Sequence, residues 1–118
     1  MKHRVYIAGP LSKGDLDQNI ANAVAAADAV ADLGCAPFIP HLTVYWQRIG
    51  AENGKHRDFM DYDFWLAQDF AWLAVCDALL RLPGESKGAD LEEIEAKRLG
   101  IPIFYSLEDF QVWLTSQE

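Results

Sequence analysis

Hydrophobic residues follow two different patterns along the chain. Four short runs rich in β-branched and aromatic residues are typical of buried parallel strands; they cover residues 4–9, 35–40, 77–82 and 101–105. Between these runs, apolar residues recur at three- and four-residue steps, which is the spacing of an amphipathic helix. The first such segment ends near Gly34, a residue suited to the position after a helix, and its apolar face consists of Ile20, Ala23, Val24, Ala27 and Val30.

The helical spacing predicts three further helices, at residues 58–75, 89–100 and 106–114. The last of them has Ser106 as its N-cap and Asp109 three residues later. In the helix at 58–75, the predicted buried stripe consists of Phe59, Tyr62, Leu66, Phe70 and Leu73. Residues 42–55 contain Gly50 and Asn53-Gly54, and there we expect an irregular segment that caps a pocket.

Strands that alternate with helices predict an α/β fold with right-handed crossovers. We expect a single domain over residues 1–118 with three layers, α/β/α, in a Rossmann-like or flavodoxin-like arrangement. Its sheet should be mostly parallel, with about four to five strands. Such sheets bind ligands at the carboxyl ends of their strands. The loops after residues 8, 39 and 82 are therefore expected to meet at the site.

Charge and composition restrict the partners. A net charge of −8 argues against nucleic acid and against an anionic membrane, because both bind basic surfaces. No apolar run approaches the ~20 residues of a membrane span, and the first residues are too polar for a signal peptide. Cys35 and Cys76 lie in apolar surroundings without metal-ligand spacing. Buried, reduced thiols in a cytoplasmic protein are the expectation.

Two of the loops carry small residues suited to an anion. Gly9, Ser12 and Gly14 follow the first strand, and Ser86 and Gly88 follow the third. Exposed amides at such turns, next to a helix N-terminus, bind phosphate or carboxylate groups. A plain turn with a capping side chain fits the first loop equally well, because that loop is neither a GxGxxG nor a Walker A motif.

Three carboxylates begin the helix at residues 89–100. Asp90 and Glu93 fit a capping box at the helix start. Glu92 falls at the edge of the predicted buried arc, which consists of Leu91, Ile94 and Leu99. From the first turn its side chain could reach a pocket above the sheet, where the helix N-terminus favours the ionised form. The residues alone leave a structural and a functional role for Glu92 open.

Asp69 lies beside Trp65 and Trp72 in the predicted helix at residues 58–75. A carboxyl group flanked by tryptophans has a raised pKa, which suits a general acid; a surface acid next to half-buried aromatic rings is the alternative. His41 follows the second strand and could contact a base or sugar, or make a structural hydrogen bond. Because no second ligand lies at metal-binding spacing, we expect neither a metal nor a cofactor.

Residues 68–92, QDFAWLAVCDALLRLPGESKGADLE, resemble the core signature of the nucleoside 2-deoxyribosyltransferase superfamily. The pattern is an Asp-x-x-Trp-Leu helix, a strand opening with Asp, and Ser-x-Gly-x-x-x-Glu, matched here by Asp69, Trp72, Leu73, Asp77, Ser86, Gly88 and Glu92. Within the superfamily, the chain is most similar to the 2′-deoxynucleoside 5′-phosphate N-hydrolases and to a short phage- and bacteria-associated branch. The stretch VYIAGP resembles the first strand and loop, in which a tyrosine, Tyr6 here, lines the active site.

The resemblance implies cleavage or transfer of the N-glycosidic bond of a (deoxy)nucleoside or nucleotide. Glu92 would attack C1′ as the base leaves, giving a glycosyl-enzyme ester. Asp69 would serve the leaving base, and Tyr6 would position Glu92 or the sugar. The partner is thus a small nucleotide or nucleoside. The family also implies a homodimer or higher homo-oligomer in which a neighbouring subunit helps to close the pocket.

Residue 86 distinguishes two subclasses within this resemblance. Transferases that act on free nucleosides resemble one another in having an acid there, which would repel a phosphate. Ser86, with the amides of Gly88 and Ala89, suits a 5′-phosphate instead, so a nucleoside 5′-monophosphate is the predicted substrate. Candidate contacts in the first loop are Gly9, Pro10, Ser12 and Gly14, and candidates for a base pocket are His41, Trp46 and Trp65. The family's first loop resembles Gly-Ser-x-Arg-Gly, and that arginine is missing between Gly9 and Gly14.

Three alternatives remain open at this point. One is a nucleoside 2-deoxyribosyltransferase that acts on free nucleosides. Another is a ribonucleotide phosphoribohydrolase, because PGESKGADLEE at residues 83–93 is similar to the Pro-Gly-Gly-x-Gly-Thr-x-x-Glu loop of the cytokinin-activating enzymes. The third is a nucleotide-binding module without turnover, since one fold serves many functions.

Overall fold

A parallel sheet forms the centre of the computed structural model, which describes residues 3–55 and 60–118. Its strands are β1 (Arg4–Ala8), β2 (Ala36–Phe38), β3 (Ala78–Arg81) and β4 (Ile103–Phe104). They pair in parallel in the order β2-β1-β3-β4. Each strand lies within a run that the sequence predicts. The expected α/β class with a parallel sheet is therefore confirmed.

Helices connect the strands and cover both faces of the sheet. They are α1 (Leu16–Asp32), α2 (Thr43–Glu52), α3 (Tyr62–Leu73), α4 (Lys87–Arg98) and α5 (Leu107–Ser116). A short 3-10 turn over Pro40–Leu42 precedes α2. In the described part of the chain, none of these helices is long and apolar enough to cross a membrane.

Two apolar cores lie on opposite faces of the sheet. On one face, Val5 and Ile7 of β1 pack against α1 and α5, with Phe110 fully buried between them. On the other face, Tyr6 and Ala8 pack against α3 and α4. Alternate side chains of β1 point to opposite faces, so this strand contributes to both cores. The result is the predicted three-layer α/β/α arrangement.

Helix ends follow the capping signals of the sequence. Ser106 caps α5, because its hydroxyl accepts the Asp109 amide at 3.1 Å. Asp15 caps α1 by accepting the Gln18 amide at 3.1 Å, which places the start of α1 earlier than the apolar spacing indicates. Gly34 follows α1 with a φ of 83°, a conformation that glycine adopts at little cost, as predicted.

The prediction of an irregular segment at residues 42–55 is wrong, because most of it forms α2. The reason is visible in the burial of this helix. Gly50 is its one fully buried residue, while Tyr45, Trp46 and Ile49 are exposed. Gly50 therefore packs inside the helix, and the Asn53-Gly54 pair that indicated a loop marks the helix end, where Asn53 is the C-cap.

The predicted helix at 58–75 is observed as α3, which begins at Tyr62. Asp61 is its N-cap and accepts the Phe64 amide at 3.0 Å. In the predicted stripe, Leu73 is fully buried but Tyr62 is 57% exposed, so the stripe is wrong at its first turn. Tyr62 is the first residue of α3, and it lines the cavity described below. The predicted positions 58 and 59 lie outside the described residues.

The predictions for α4 are wrong in two respects. Its N-cap is Ser86, whose hydroxyl accepts the Ala89 amide at 3.1 Å, so Asp90 and Glu93 do not form a capping box. Its buried face is also different. Ile94 is 63% exposed and Leu99 is 38% exposed, and the buried residues are Ala89, Glu92 and Ala96. Small alanine side chains let the helix approach the sheet closely, which turns Glu92 inward.

Candidate active site

A cavity of about 1000 Å³ lies at the carboxyl ends of β1 and β3. The chain continues from β1 to β2 on one side and from β3 to β4 on the other, so the sheet order reverses between β1 and β3. Such a switch point leaves a crevice in which α/β proteins bind ligands. The cavity walls come from the loop after β1, the 3-10 turn, α2, α3 and the start of α4.

Glu92 lines this cavity from the second turn of α4, with 5% of its surface exposed. The Tyr6 hydroxyl, which belongs to the central strand β1, donates a hydrogen bond to the Glu92 carboxylate. Tyr6 is fully buried, and its burial together with the charge of Glu92 raises the tyrosine pKa, so the hydroxyl stays a donor. Because β1 is rigid and central, this bond holds Glu92 in one orientation.

Asp69 contributes the second carboxyl group of the cavity, from the middle of α3. Its Oδ1 atom is buried and has no hydrogen-bond partner among the described residues. Burial raises the pKa of Asp69 to about 7. The predicted direction of this pKa is thus confirmed. A carboxyl group with this pKa can hold a proton at neutral pH and release it to a ligand.

The protonation of Glu92 depends on its burial and on three neighbouring groups, Asp69 among them. Burial raises the pKa of Glu92 to about 8, the Tyr6 hydrogen bond lowers it, the charge of Asp69 raises it again, and the cation of Arg81 lowers it. Two carboxyl groups in one poorly solvated cavity do not both ionise easily. Between pH 7 and 8 the pair therefore holds about one proton, and acid and nucleophile chemistry requires the form in which this proton lies on Asp69.

His41 forms part of the opposite wall, in the 3-10 turn after β2. It is 3% exposed, and burial lowers its pKa despite hydrogen bonds to the carbonyls of Pro10 and Gly9. Its Nε2 lies 3.2 Å from the Pro10 carbonyl oxygen, so the neutral ring donates from that nitrogen. His41 thereby ties the 3-10 turn to the loop after β1.

Residues with anion-binding chemistry form the rim at the start of α4. Ser86, Lys87 and Gly88 line the cavity there, and the first amides of a helix have no intrahelical partner. Lys13 from the loop after β1 lies on the same rim, 3.7 Å from Glu85. The helix N-terminus and two lysines therefore face one end of the cavity, while the carboxyl pair occupies the other part.

The family model described as "Domain of unknown function (DUF7768)" matches residues 3–106 of the chain. The chain belongs to this DUF7768 family. No curated protein matches the DUF7768 chain.

A solved structure with a similar fold is that of a 2-deoxyribosyltransferase from the psychrotolerant bacterium Bacillus psychrosaccharolyticus, at a TM-score of 0.59 and 20% sequence identity. The likeness covers 85% of the DUF7768 chain and 69% of the other chain. At this identity, the likeness shows a shared fold. The fold implied by the resemblance to the superfamily is therefore confirmed, and the closer similarity to the 5′-phosphate N-hydrolases stays a prediction.

The DUF7768 structure brings most of the predicted site residues to one cavity. Those that line it are Gly9, Ser12, His41, Trp65, Asp69, Ser86, Gly88, Ala89 and Glu92. Tyr6 lies behind Glu92, as a second layer. Trp46 lies behind Trp65, with ring centroids 4.7 Å apart. Trp46 therefore supports the cavity wall from behind Trp65. It is not among the residues that line the cavity, so this structure does not place it in contact with a bound base.

Two residues of the loop after β1 serve the loop itself. The Pro10 ring fits over Gly84, where an added Cβ atom would come within 2.7 Å of Pro10 Cγ, and this contact joins the loops after β1 and β3. Gly14 has a φ of 86° and forms the turn before the Asp15 cap. Neither Pro10 nor Gly14 lies among the residues that line the cavity.

Sequence reasoning missed several residues that line the cavity of the DUF7768 chain. Thr43, Val44 and Gln47 line the wall from α2, which the sequence does not reveal as a helix. Lys87 follows the predicted Ser86 directly, and a basic residue beside a predicted anion site was a signal that could have found it. Arg81 lies outside the cavity, but its charge acts on Glu92. Among the described residues, no group of three His, Cys, Asp or Glu side chains could hold a metal ion.

Proposed function

We propose that the DUF7768 chain cleaves the N-glycosidic bond of a (deoxy)nucleoside 5′-monophosphate through a covalent glycosyl intermediate on Glu92. The observation that carries the proposal is the placement of Glu92. It is a buried carboxylate that faces the cavity, accepts a hydrogen bond from Tyr6 and shares the cavity with Asp69. Two carboxyl groups in one cleft are the residues that glycosidases use, and in the retaining enzymes one of them is the nucleophile.

In the first step, a Glu92 carboxylate oxygen forms a bond to C1′ of the sugar. The bond between C1′ and the base nitrogen breaks, and its electron pair leaves with the base. Asp69, protonated, donates its proton to the leaving base and becomes ionised. Tyr6 holds the other Glu92 oxygen, so that the attacking oxygen is kept in one direction.

In the second step, an acceptor releases the sugar from Glu92. For a hydrolase, a water oxygen bonds to C1′, the ester bond to Glu92 breaks, and the ionised Asp69 takes the water proton. For a transferase, the nitrogen of a second base attacks C1′ in the same way. The two outcomes share every residue and differ in the acceptor that reaches the intermediate.

A 5′-phosphate fits the rim at the start of α4. The Ser86 hydroxyl already accepts the Ala89 amide, so that amide is used by the cap and does not contact the phosphate. The hydroxyl retains its own proton to donate. The Gly88 amide, the ammonium groups of Lys13 and Lys87 and the N-terminus of α4 add positive potential at the same rim. Glu85 on the same rim pairs with Lys13 at 3.7 Å, and a phosphate would take its place beside this lysine.

A nucleoside 2-deoxyribosyltransferase activity on free nucleosides is the second candidate, and the fold likeness to a 2-deoxyribosyltransferase favours it. The same Glu92 chemistry applies. For either activity, we propose that the protein is a homo-oligomer in the cytoplasm. Light scattering of the purified protein measures the oligomeric state.

The test is to incubate the wild-type chain with ribo- and deoxynucleosides and with their 5′-monophosphates, with and without a second free base. Released base is measured by chromatography, and a glycosyl adduct on Glu92 is sought by mass spectrometry of the quenched protein. We expect release from monophosphates, lost in Glu92→Gln. Glu108→Gln, on α5 at the opposite face of the sheet, is the control that should retain activity.

The outcomes separate the alternatives. Release from nucleosides alone would overturn the phosphate assignment, and base exchange alone would identify a transferase. Unchanged turnover by Glu92→Gln would overturn the nucleophile. If no substrate in the panel is cleaved, although nucleotide binding is detected by calorimetry, the chain is a binding module.

A further inference from the structure

Arg81 is a buried cation beside the site. It is the last residue of β3, and its side chain is 10% exposed. Its Nε donates to the Glu93 carboxylate at 3.1 Å, and its Nη2 contacts Asp90 Oδ1 at 3.2 Å and the Gly84 carbonyl at 2.9 Å. Its Nη1 is buried without a hydrogen-bond partner among the described residues. A guanidinium group placed there needs its carboxylate partners, because burial removes its hydration.

The two partners of Arg81 lie one turn apart on the same face of α4. Glu93 is held from a second side, since the Tyr105 hydroxyl donates to its Oε1 at 2.5 Å. Successive helix residues are about 100° apart around the axis, so Glu92 projects from the face next to Glu93. A contact that fixes Glu93 against the end of β3 therefore also fixes the direction of Glu92.

We propose that Arg81 is a positioning residue for Glu92. Its buried guanidinium, held by Asp90 and Glu93, fixes the rotation of α4 on the end of β3 so that Glu92 faces Tyr6 and the cavity. This inference rests on the proposed function for its kinetic consequences. Its structural content, the coupling of Arg81 to Glu92, stands independently of the reaction.

The charge of Arg81 supports the same role. The charged and titratable groups around Glu92 come from different elements: Tyr6 on β1, Arg81 on β3, Asp69 on α3, His41 on the 3-10 turn and Lys87 on α4. Burial and Asp69 raise the pKa of Glu92, whereas Tyr6 and Arg81 lower it. Arg81 thus favours the ionised carboxylate that acts as the nucleophile, and it does so without lining the cavity.

The experiment compares Arg81→Gln, Arg81→Lys and Arg98→Gln in the full chain. Arg98 is the matched control, because it also pairs with a glutamate of α4, Glu95, at 2.6 Å, but on the exposed surface. The first readout is the titration of the Glu92 carboxyl carbon by NMR, assigned with Glu92→Gln. The second is kcat and KM across pH on the substrate found for the wild type.

Without the cation, Arg81→Gln should raise the Glu92 titration midpoint by about one pH unit, and kcat below that midpoint should fall about tenfold. Arg81→Lys keeps the charge and loses the fork that binds Glu93. Its midpoint should stay near that of the wild type, while kcat falls and KM does not change. Arg98→Gln should match the wild type in both readouts.

An unchanged Glu92 midpoint in Arg81→Gln, together with an unchanged kcat in Arg81→Lys, would overturn the proposal. If Arg81→Gln does not fold, Arg81→Lys decides by its kcat and by the Glu92 chemical shift. If the wild type cleaves no substrate, the proposed function fails, and the NMR titration still tests the coupling between Arg81 and Glu92.

Discussion

Glu92→Gln should stabilise the folded chain at alkaline pH. Burial raises the pKa of Glu92 from an ordinary value of 4.5 to about 8. Between these two pH values, the folded chain holds a proton that the unfolded chain has released. The free energy of unfolding therefore falls as the pH rises through this window. Glutamine has nearly the same shape, carries no charge and can still accept the Tyr6 hydroxyl.

The magnitude follows from the two pKa values. A displacement from 4.5 to about 8 corresponds to about 5 kcal/mol at about 1.4 kcal/mol per pH unit. The amide of glutamine has its own cost of burial, about 1–3 kcal/mol. We therefore expect Glu92→Gln to be at least about 2 kcal/mol more stable than the wild type at pH 8.5, and no more stable than the wild type at pH 5. For a chain of 118 residues, that gain raises Tm by about 8 °C.

The assay is urea and thermal unfolding, followed by circular dichroism, at pH 5 and pH 8.5. Asp69 contributes a similar slope in both proteins, because burial also raises its pKa, to about 7. Comparing the proteins at each pH removes this contribution. Glu52→Gln, at the exposed end of α2, is the control and should follow the wild type at both pH values.

The result that would refute the reasoning is a difference between Glu92→Gln and wild type that is the same at pH 5 and pH 8.5. Glu92 would then titrate alike in the folded and unfolded chains, and its burial would not disfavour its charge. The expected gain carries a functional meaning, since a residue whose removal stabilises a protein is retained for another reason.

Three further predictions concern the reaction. The pH profile of kcat/KM should be bell-shaped with limbs near pH 7 and 8. The reacting form has Asp69 protonated and Glu92 ionised, and these two groups titrate at about 7 and about 8. Limbs near pH 4 would show that burial does not raise the two pKa values. Tyr6→Phe removes the donor to Glu92, so the alkaline limb, which Glu92 sets near pH 8, should move to higher pH and kcat/KM at pH 7 should fall about tenfold or more. An unshifted alkaline limb would show that the hydrogen bond does not set the ionisation of Glu92. Ser86→Asp keeps a good N-cap on α4 but repels an anion, so kcat/KM should fall at least about tenfold for 5′-monophosphates and not for nucleosides. Equal losses of kcat/KM on both substrates would contradict a phosphate at this rim.

The strands and the layer order could be predicted because their signals are local and large. Residues 5–8 and 78–80 are apolar throughout, since both faces of a parallel strand are covered. Ser106 and Gly34 carry capping signals that depend on a few neighbouring residues. The crevice followed from topology, because the alternation of strands and helices determines which strand ends meet.

The helices at the site could not be predicted as well, because they are packed differently from helices on a core. On α4, the large apolar residues Ile94 and Leu99 face solvent, and a carboxylate lies between two buried alanines. A prediction from apolar periodicity assigns the most hydrophobic residues to the core, and on α4 it therefore selected the face that is exposed. Helix α2 exposes its large apolar residues, and its Gly50 and Asn53-Gly54 signals indicated a loop at the place where the helix ends.

The partners of the carboxylates depend on distances that a sequence does not contain. Tyr6 is 86 positions from Glu92 along the chain, and the two meet because β1 lies beside β3 and α4 packs across both. The same packing that buries Glu92 raises its pKa and lowers the stability of the fold above pH 4.5. Burial raises the pKa of Glu92, whereas the Tyr6 hydrogen bond and the charge of Arg81 lower it and so favour the ionised carboxylate. The reactivity that we propose for Glu92 and its cost in stability therefore have one physical cause, and separate assays can measure the two.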